Sequence, residues 1–191
     1  MRAYILFFGL ACSASLMLAQ QDPTAFVSAG RGLELTRPMH WEPRPNTNVS
    51  LGYRIFPGLM LCGYADFNSF SFQGEESPSS TGSYSLTSFF FGAKVYATIP
   101  GNRASPYFIG AVGSSMEASD QDTLFTHHHG NLIVYHVNRS PSLAFFGAIG
   151  SDVRIYEGLF CFGELRVSWK FLSIVSGLSM TARAGIGFNV Y

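Results

Sequence analysis

Strict alternation between apolar residues and small or polar residues is the feature that most constrains this chain. In its last segment the even positions from Met180 to Val190 are Met, Ala, Ala, Ile, Phe and Val, whereas the odd positions from Thr181 to Asn189 are Thr, Arg, Gly, Gly and Asn. Successive side chains of a β-strand project to opposite faces, so this segment has one apolar and one polar face. The same pattern recurs from Thr24 to Tyr191. It predicts a closed sheet whose apolar face is turned outward to lipid.

The alternation divides the chain into eight segments, separated alternately by short Pro- or Gly-containing turns and by longer polar connections. The connection after the seventh segment, near 172–178, is the exception, because it is neither long nor polar. An even number of strands with short turns at one end and long loops at the other is typical of outer-membrane barrels. We therefore predict an all-β fold, an eight-stranded antiparallel up-and-down transmembrane β-barrel. The segments are 25–35, 48–56, 59–72, 84–99, 107–116, 143–155, 159–171 and 180–191, and the long loops are 38–47, 73–83 and 117–142. In the fifth segment we assign Phe108, Gly110 and Val112 to the interior and Tyr107, Ile109 and Ala111 to the outside.

Composition narrows the class of protein further. Charged residues are 13% of the chain and the formal net charge is zero, against roughly 25% charged residues in soluble domains. The balanced charge lacks the basic patch that a nucleic-acid-binding protein requires. Cys62 and Cys161 fall on opposite parities, which places them on opposite faces of the sheet and argues against a disulfide.

The N-terminus has the pattern of an export signal. Arg2 precedes an apolar stretch from Tyr4 to Leu18, and the small residue Ala19 follows. We predict a cleaved signal peptide at 1–20 and an outer-membrane barrel domain at 21–191. An uncleaved membrane anchor is the alternative, but no charged stop-transfer flank follows the stretch.

Most of the charge within the strands falls on the inner parity, with Arg31 on the outer parity as the exception. Charges of both signs inside a narrow barrel are expected to pair, because a single buried charge is very costly. We interpret this set as a structural network of salt bridges, with a narrow ion or solute path as the alternative. The ten residues are Glu34, Arg54, Asp66, Lys94, Asp152, Arg154, Glu164, Arg166, Lys170 and Arg183.

The chain resembles the small eight-stranded outer-membrane barrels of the OmpA/OmpX type, and more narrowly the outer-membrane β-barrel domain proteins. The resemblance covers essentially the whole chain after the signal. It rests on Pro106-Tyr107 with Gly110 and Gly113, on 152–155 and 163–166 around a short turn, and on the terminal 184–188. Tyr191 departs from the family pattern, because it lies on the inner parity whereas Phe188 lies on the outer one.

The resemblance implies a bacterial outer-membrane location, contact with membrane lipid, and recognition of the C-terminal strand by the barrel-assembly machinery. We expect a structural or surface-interaction role through the loops, with His40 and Trp41 among the exposed residues, no catalysis, no cofactor and no nucleic-acid partner.

Two clusters suggest alternative chemistry. His127, His128 and His129 are possible metal ligands, but neighbouring residues of a strand point to opposite faces, so an exposed loop is the simpler interpretation. Some small barrels are enzymes that modify lipid A, and the deacylase type places a His and a Ser near the outer rim. The region of His136 and Ser140 has these residue types, although Asn138 stands where a Ser is expected. No carboxylate is visibly placed to orient His136.

A periplasmic lipocalin-like barrel that carries a small ligand is the remaining alternative. Such a barrel has apolar side chains inside and charged side chains outside. The richness of the polar parity in Gly and Ser, which suits a crowded interior, favours the membrane barrel.

Overall fold

The protein folds as a closed antiparallel β-barrel. The computed structural model describes residues 23–35, 42–43, 46–72, 82–98, 103–120, 123–128, 131–137, 139–171 and 177–191. Eight long strands form the wall in the order β1, β3, β4, β5, β6, β9, β10, β11, and β1 pairs with β11 to close it. The strands are β1 Ala25–Glu34, β2 Glu42–Pro43, β3 Asn46–Phe56, β4 Leu59–Phe72, β5 Gly82–Tyr96, β6 Ala104–Ser119, β7 Thr123–His128, β8 Asn131–His136, β9 Ser142–Arg154, β10 Leu159–Lys170 and β11 Gly177–Val190. Within these ranges, no helix is long and apolar enough to cross a membrane.

The register of the strands fixes the shape of the barrel. The register can be followed from each residue to its partner on the next strand, once around the wall. Starting at Ala25, the partners are Tyr53, Leu61, Ala93, Gly110, Gly147, Val167 and Met180. The carbonyl of Met180 then accepts from the amide of Leu35, back on the first strand. One circuit that starts at residue 25 therefore ends at residue 35, a shear of ten residues. A stagger of this kind requires the strands to tilt, and the resulting interior is one that side chains can fill.

The two ends of the barrel differ. At one end, the turn end, β3 joins β4 and β9 joins β10 through tight turns, and both ends of the described wall, Thr24 and Val190, lie there. Gly58 and Gly158 have φ of +76° and +77° in these turns, a conformation that residues with a Cβ rarely adopt. At the other end, the loop end, β4, β5 and β6 extend beyond the strands on either side of them, β3 and β9, and β5 and β6 are the longest strands of the wall.

The eight-stranded topology predicted from the alternation is confirmed, and β4 has the predicted bounds. One connection was placed wrongly. The segment bounds 84–99 and 107–116 imply a turn that runs through Pro106, but the turn ends earlier, because β6 begins at Ala104 and includes Pro106 opposite Ser151. Proline lacks a backbone donor, which is tolerated near the start of a strand, and its carbonyl still accepts from the amide of Ala97.

The predicted faces of the fifth segment are wrong. Tyr107 and Ile109 are 2% and 6% exposed and face the interior, whereas Phe108 and Val112 are 59% and 47% exposed on the outside. Both parities of this segment are apolar, so alternation carried no information there. The available space inside the barrel determines which face of the strand turns inward. A Cβ on Gly150 would lie 2.6 Å from the ring of Tyr107, so the glycine at this position leaves room for that ring.

The predicted loop 117–142 also differs from the structure. Glu117 belongs to β6 and is buried, and β7 and β8 form a separate two-stranded hairpin at the loop end. The sequence signal is the run from Leu132 to Tyr135, whose β-branched and aromatic residues favour a strand. The other predicted loops, 38–47 and 73–83, with His40 and Trp41, lie largely outside the described residues.

Candidate functional site

Four ionic side chains meet in the centre of the barrel and form what we call the central ion cluster: Asp66, Glu164, Arg166 and Arg183. Arg183 donates to both oxygens of Asp66 at 2.9 and 2.8 Å, and Nη1 of Arg166 donates to the same carboxylate at 2.7 Å. Nε of Arg166 donates to Glu164 at 3.1 Å. All four are buried. Two guanidinium groups are thus neutralised by two carboxylates, and a two-bond arginine–carboxylate pair is the strongest geometry of this kind.

The central ion cluster crosses the full width of the barrel. Asp66 lies on β4 and Arg166 on β10, which are four strands apart in either direction around the eight-stranded wall. The guanidinium of Arg166 also stacks on the ring of Phe146, with its central carbon 3.6 Å from the ring centroid. Tyr64 packs edge-on against the same ring at 5.2 Å. Charge and aromatic packing together occupy the middle of the interior.

A second buried cation lies nearer the turn end, in a group we call the lysine cage. Lys94 donates to Asp152 at 2.7 Å, and the hydroxyl of Tyr96 donates to the same oxygen at 2.6 Å. The ammonium lies 3.8 Å from the ring centroid of Tyr107 and 4.8 Å from that of Phe26, and the ring of Phe160 is at 5.9 Å. Aromatic faces attract cations most strongly where water is excluded, so the rings and one carboxylate stabilise this ammonium.

A small cavity separates the two groups. It measures about 20 Å³ as the space open to the centre of a water molecule, and its lining includes Lys94, Glu164, Arg166 and Arg183. Such a volume holds roughly one water-sized particle. Pockets for small organic ligands are of the order of 300–1,000 Å³. This cavity therefore differs in kind from the ligand chamber of a lipocalin-like carrier.

The structure brings six of the ten predicted interior charges into these two groups. Lys170 is buried towards the loop end, where the charge of Glu34 acts on it. Arg54 and Arg154 are half-buried near the turn end and also make polar or electrostatic contacts. Arg31, the predicted exception, is exposed on the outer face.

Sequence reasoning missed several interior participants. Tyr107 was assigned to the outside, and the other aromatic rings around Lys94 and Arg166 were given no role, because alternation does not reveal that a ring faces a cation. Glu117 was placed in a loop, yet it lies buried beside Tyr84. If the fifth segment is extended beyond residue 116, Glu117 falls on the same face as Ser115, and this is the signal that could have found it.

The residues considered for chemistry are spread over the loop end. His127 and His128 are the last two residues of β7, and His129 lies outside the described residues. His136 ends β8, and Ser140 precedes β9; both are exposed, and Asn138 between them lies outside the described residues. Among the side chains that the structure describes, no group of three or more His, Cys, Asp or Glu is placed to hold a metal ion. Cys62 and Cys161 are free, the first buried in the interior.

The outer wall is predominantly apolar from the turn end to the loop end, although Arg31 is also exposed there. Large exposed side chains include Tyr53 and Phe56 towards the turn end and Leu143 and Trp169 towards the loop end. Soluble monomers rarely expose contiguous apolar patches beyond a few hundred Å². A surface of this kind around a charged interior is the reverse of a soluble barrel, and it identifies a barrel that spans a membrane.

Solved structures show the same architecture. Neisserial surface protein A matches with a TM-score of 0.56 and 14% identity over 86% of this chain and 95% of that one. The chain has the fold of the small eight-stranded outer-membrane barrels. Ail of Yersinia pestis, in complex with the heparin analogue sucrose octasulfate, matches at 0.54 and 13% identity over 88% and 99%. OprG of Pseudomonas aeruginosa matches at 0.53 and 9% over 89% and 97%. No protein-family model and no curated protein sequence matches the chain.

Proposed function

We propose that this protein is an integral outer-membrane barrel that acts through the surface at its loop end, in a structural or surface-interaction role and without catalysis. In this proposal residues 1–20 are an export signal that is removed, and 21–191 form the barrel domain. Membrane lipid covers the outer wall, and the barrel-assembly machinery recognises the C-terminal strand β11, where Phe188 lies on the outer face.

The observation that carries the proposal is the bond between Asp66 and Arg166 across the barrel. A charged pair fixed across the middle of the interior, with Phe146 stacked on the guanidinium, supports a closed interior over a conducting path. The inner wall is then structural. The loop end, where β4 to β6 project and the β7–β8 hairpin lies, is the part that remains for contact with other molecules.

Fractionation of a Gram-negative host expressing the full chain tests the location. We expect recovery in the outer membrane after detergent extraction and a change in gel mobility between unboiled and boiled samples. Recovery in the soluble periplasm would contradict the proposal.

Topology and conductance test the role. An epitope inserted between β7 and β8 should bind antibody on intact cells, whereas the same epitope inserted at 157–158 in the β9–β10 turn should require permeabilised cells. In planar lipid bilayers the purified barrel should show no stable conductance. A steady open channel would instead support the ion path, and altered lipid A in cells expressing the wild type but not His136→Ala would support the enzyme.

A further inference from the structure

The cavity between the central ion cluster and the lysine cage has an unusual lining. Three of its residues carry a buried polar atom that lacks a good hydrogen-bond partner among the described residues. Nδ2 of Asn48 and Nε of Arg183 have none, and the hydroxyl of Tyr64 has only the thiol of Cys62, a weak acceptor, beside it. Each of these residues is more than nine-tenths buried. Buried polar atoms are nearly always paired, so three of them around one small space indicate that something in that space pairs with them.

The three atoms share one chemical property, because each can donate a hydrogen. The amide nitrogen of Asn48 and the Nε of Arg183 only donate, and the phenol of Tyr64 donates readily. Arg183 presents this Nε because its other two nitrogens are held by Asp66. A single occupant that accepts hydrogen bonds from several sides would satisfy all three.

Cations outnumber carboxylates on the lining of the cavity, although the central ion cluster and the lysine cage as a whole are electrically balanced. Lys94, Arg166 and Arg183 line it, against one carboxylate, Glu164. Both oxygens of Glu164 are already engaged, one with Arg166 at 3.1 Å and the other with the hydroxyl of Tyr107 at 3.4 Å. The carboxylates of Asp66 and Asp152 hold the cations but are not part of the lining.

From this geometry we infer that the cavity is a binding site for one monatomic anion of the halide class, held inside the barrel as a structural ion. The volume of about 20 Å³ accommodates a particle of roughly that size. The anion accepts hydrogen bonds from Asn48, Tyr64 and Arg183, and it lies between the ammonium of the lysine cage and the guanidinium groups of the central ion cluster. An ion that binds only the folded barrel stabilises it by mass action.

Thermal unfolding in different salts tests the site. The detergent-extracted barrel is unfolded, exchanged into chloride, bromide or gluconate at constant ionic strength, and refolded there. The unfolding midpoint is then read from the loss of the fast-migrating band. We expect the midpoint to rise with the logarithm of chloride or bromide concentration and to stay unchanged in gluconate. Equal midpoints in all three salts would overturn the proposal and assign the space to water.

Asn48→Leu and Asn68→Leu form a matched pair of variants. Both asparagines are buried, face inward on adjacent strands and carry an unpartnered atom, but Asn68 does not line the cavity. Asn48→Leu should lose the halide dependence and Asn68→Leu should keep it. If Asn48→Leu does not fold, Tyr64→Phe, which removes only the hydroxyl, should show a reduced dependence. Crystals grown in bromide should give an anomalous peak between Asn48 and Arg183, and electron density there without anomalous signal would contradict the proposal.

Discussion

The central ion cluster and the lysine cage stabilise buried cations in two different ways. In the cluster, Arg166 and Arg183 share one carboxylate, Asp66, through three hydrogen bonds. In the cage, Lys94 has one carboxylate and is otherwise surrounded by aromatic rings. The guanidinium is planar and carries several donors in a fixed geometry, so it suits a carboxylate network, whereas the compact ammonium suits a ring of aromatic faces. The comparison predicts that the two sites respond differently when one partner is removed.

The largest effect is expected from Asp66→Asn. It removes the charge that neutralises two buried arginines, and breaking a buried ion pair costs about 3–5 kcal/mol of unfolding free energy. Urea unfolding of the detergent-extracted barrel, followed by gel mobility, measures the loss. The exposed Asp120, which accepts from the amide of Ser83, provides the control. Asp120→Asn should change the free energy by less than about 0.5 kcal/mol, and equal effects of the two substitutions would contradict the role of Asp66.

Lys94→Met should have a smaller effect, about 2–3 kcal/mol, because the carboxylate left behind keeps a hydrogen bond. That bond comes from the hydroxyl of Tyr96, and the side chain of Asp152 retains 12% exposure. The double variant Lys94→Met/Asp152→Asn should recover most of the loss, since removing both charges is often close to neutral. A double variant as unstable as Lys94→Met would show that the rings of the lysine cage require the ammonium itself.

Arg166→Lys keeps the charge in the central ion cluster and tests its geometry. The substitution loses the Nε bond to Glu164 and the planar contact with Phe146, which we expect to cost about 1–2 kcal/mol. The same urea experiment measures it. Arg31→Lys, on the exposed outer face, is the matched control and should leave the midpoint unchanged. An equally small effect of Arg166→Lys would show that charge alone is sufficient in the cluster.

The smallest effect is expected from Tyr107→Phe, below about 1 kcal/mol. Its hydroxyl donates to Glu164 over 3.4 Å, and the ring under Lys94 remains. Tyr96→Phe should cost more, because that hydroxyl donates to Asp152 over 2.6 Å. The reverse order of the two unfolding midpoints would place the hydroxyl of Tyr107, rather than its ring, at the centre of the cage.

Much of the wall was predictable from local sequence. Where a charged residue marks one parity, as Asp66 does between Leu59 and Phe72, the facing of the strand follows directly, because a shift by one residue would turn Asp66 into the lipid. The fifth segment failed because Tyr107 and Phe108 are equally apolar. For the loop end, the hairpin of β7 and β8 was missed because its short strands were treated as part of one long polar connection.

By itself, therefore, the sequence determined that this chain forms a barrel with a lipid-facing outside and a charged inside, because alternation has the period of a strand and burial follows polarity. Only the tertiary structure decided which charges pair. Asp66 and Arg183 are 117 residues apart in sequence. They meet because the barrel closes with a shear of ten residues, which places the two side chains at the same height along the barrel axis. The small cavity and its three inward donors also arise only from that closure, since no local pattern records what faces a side chain across the barrel.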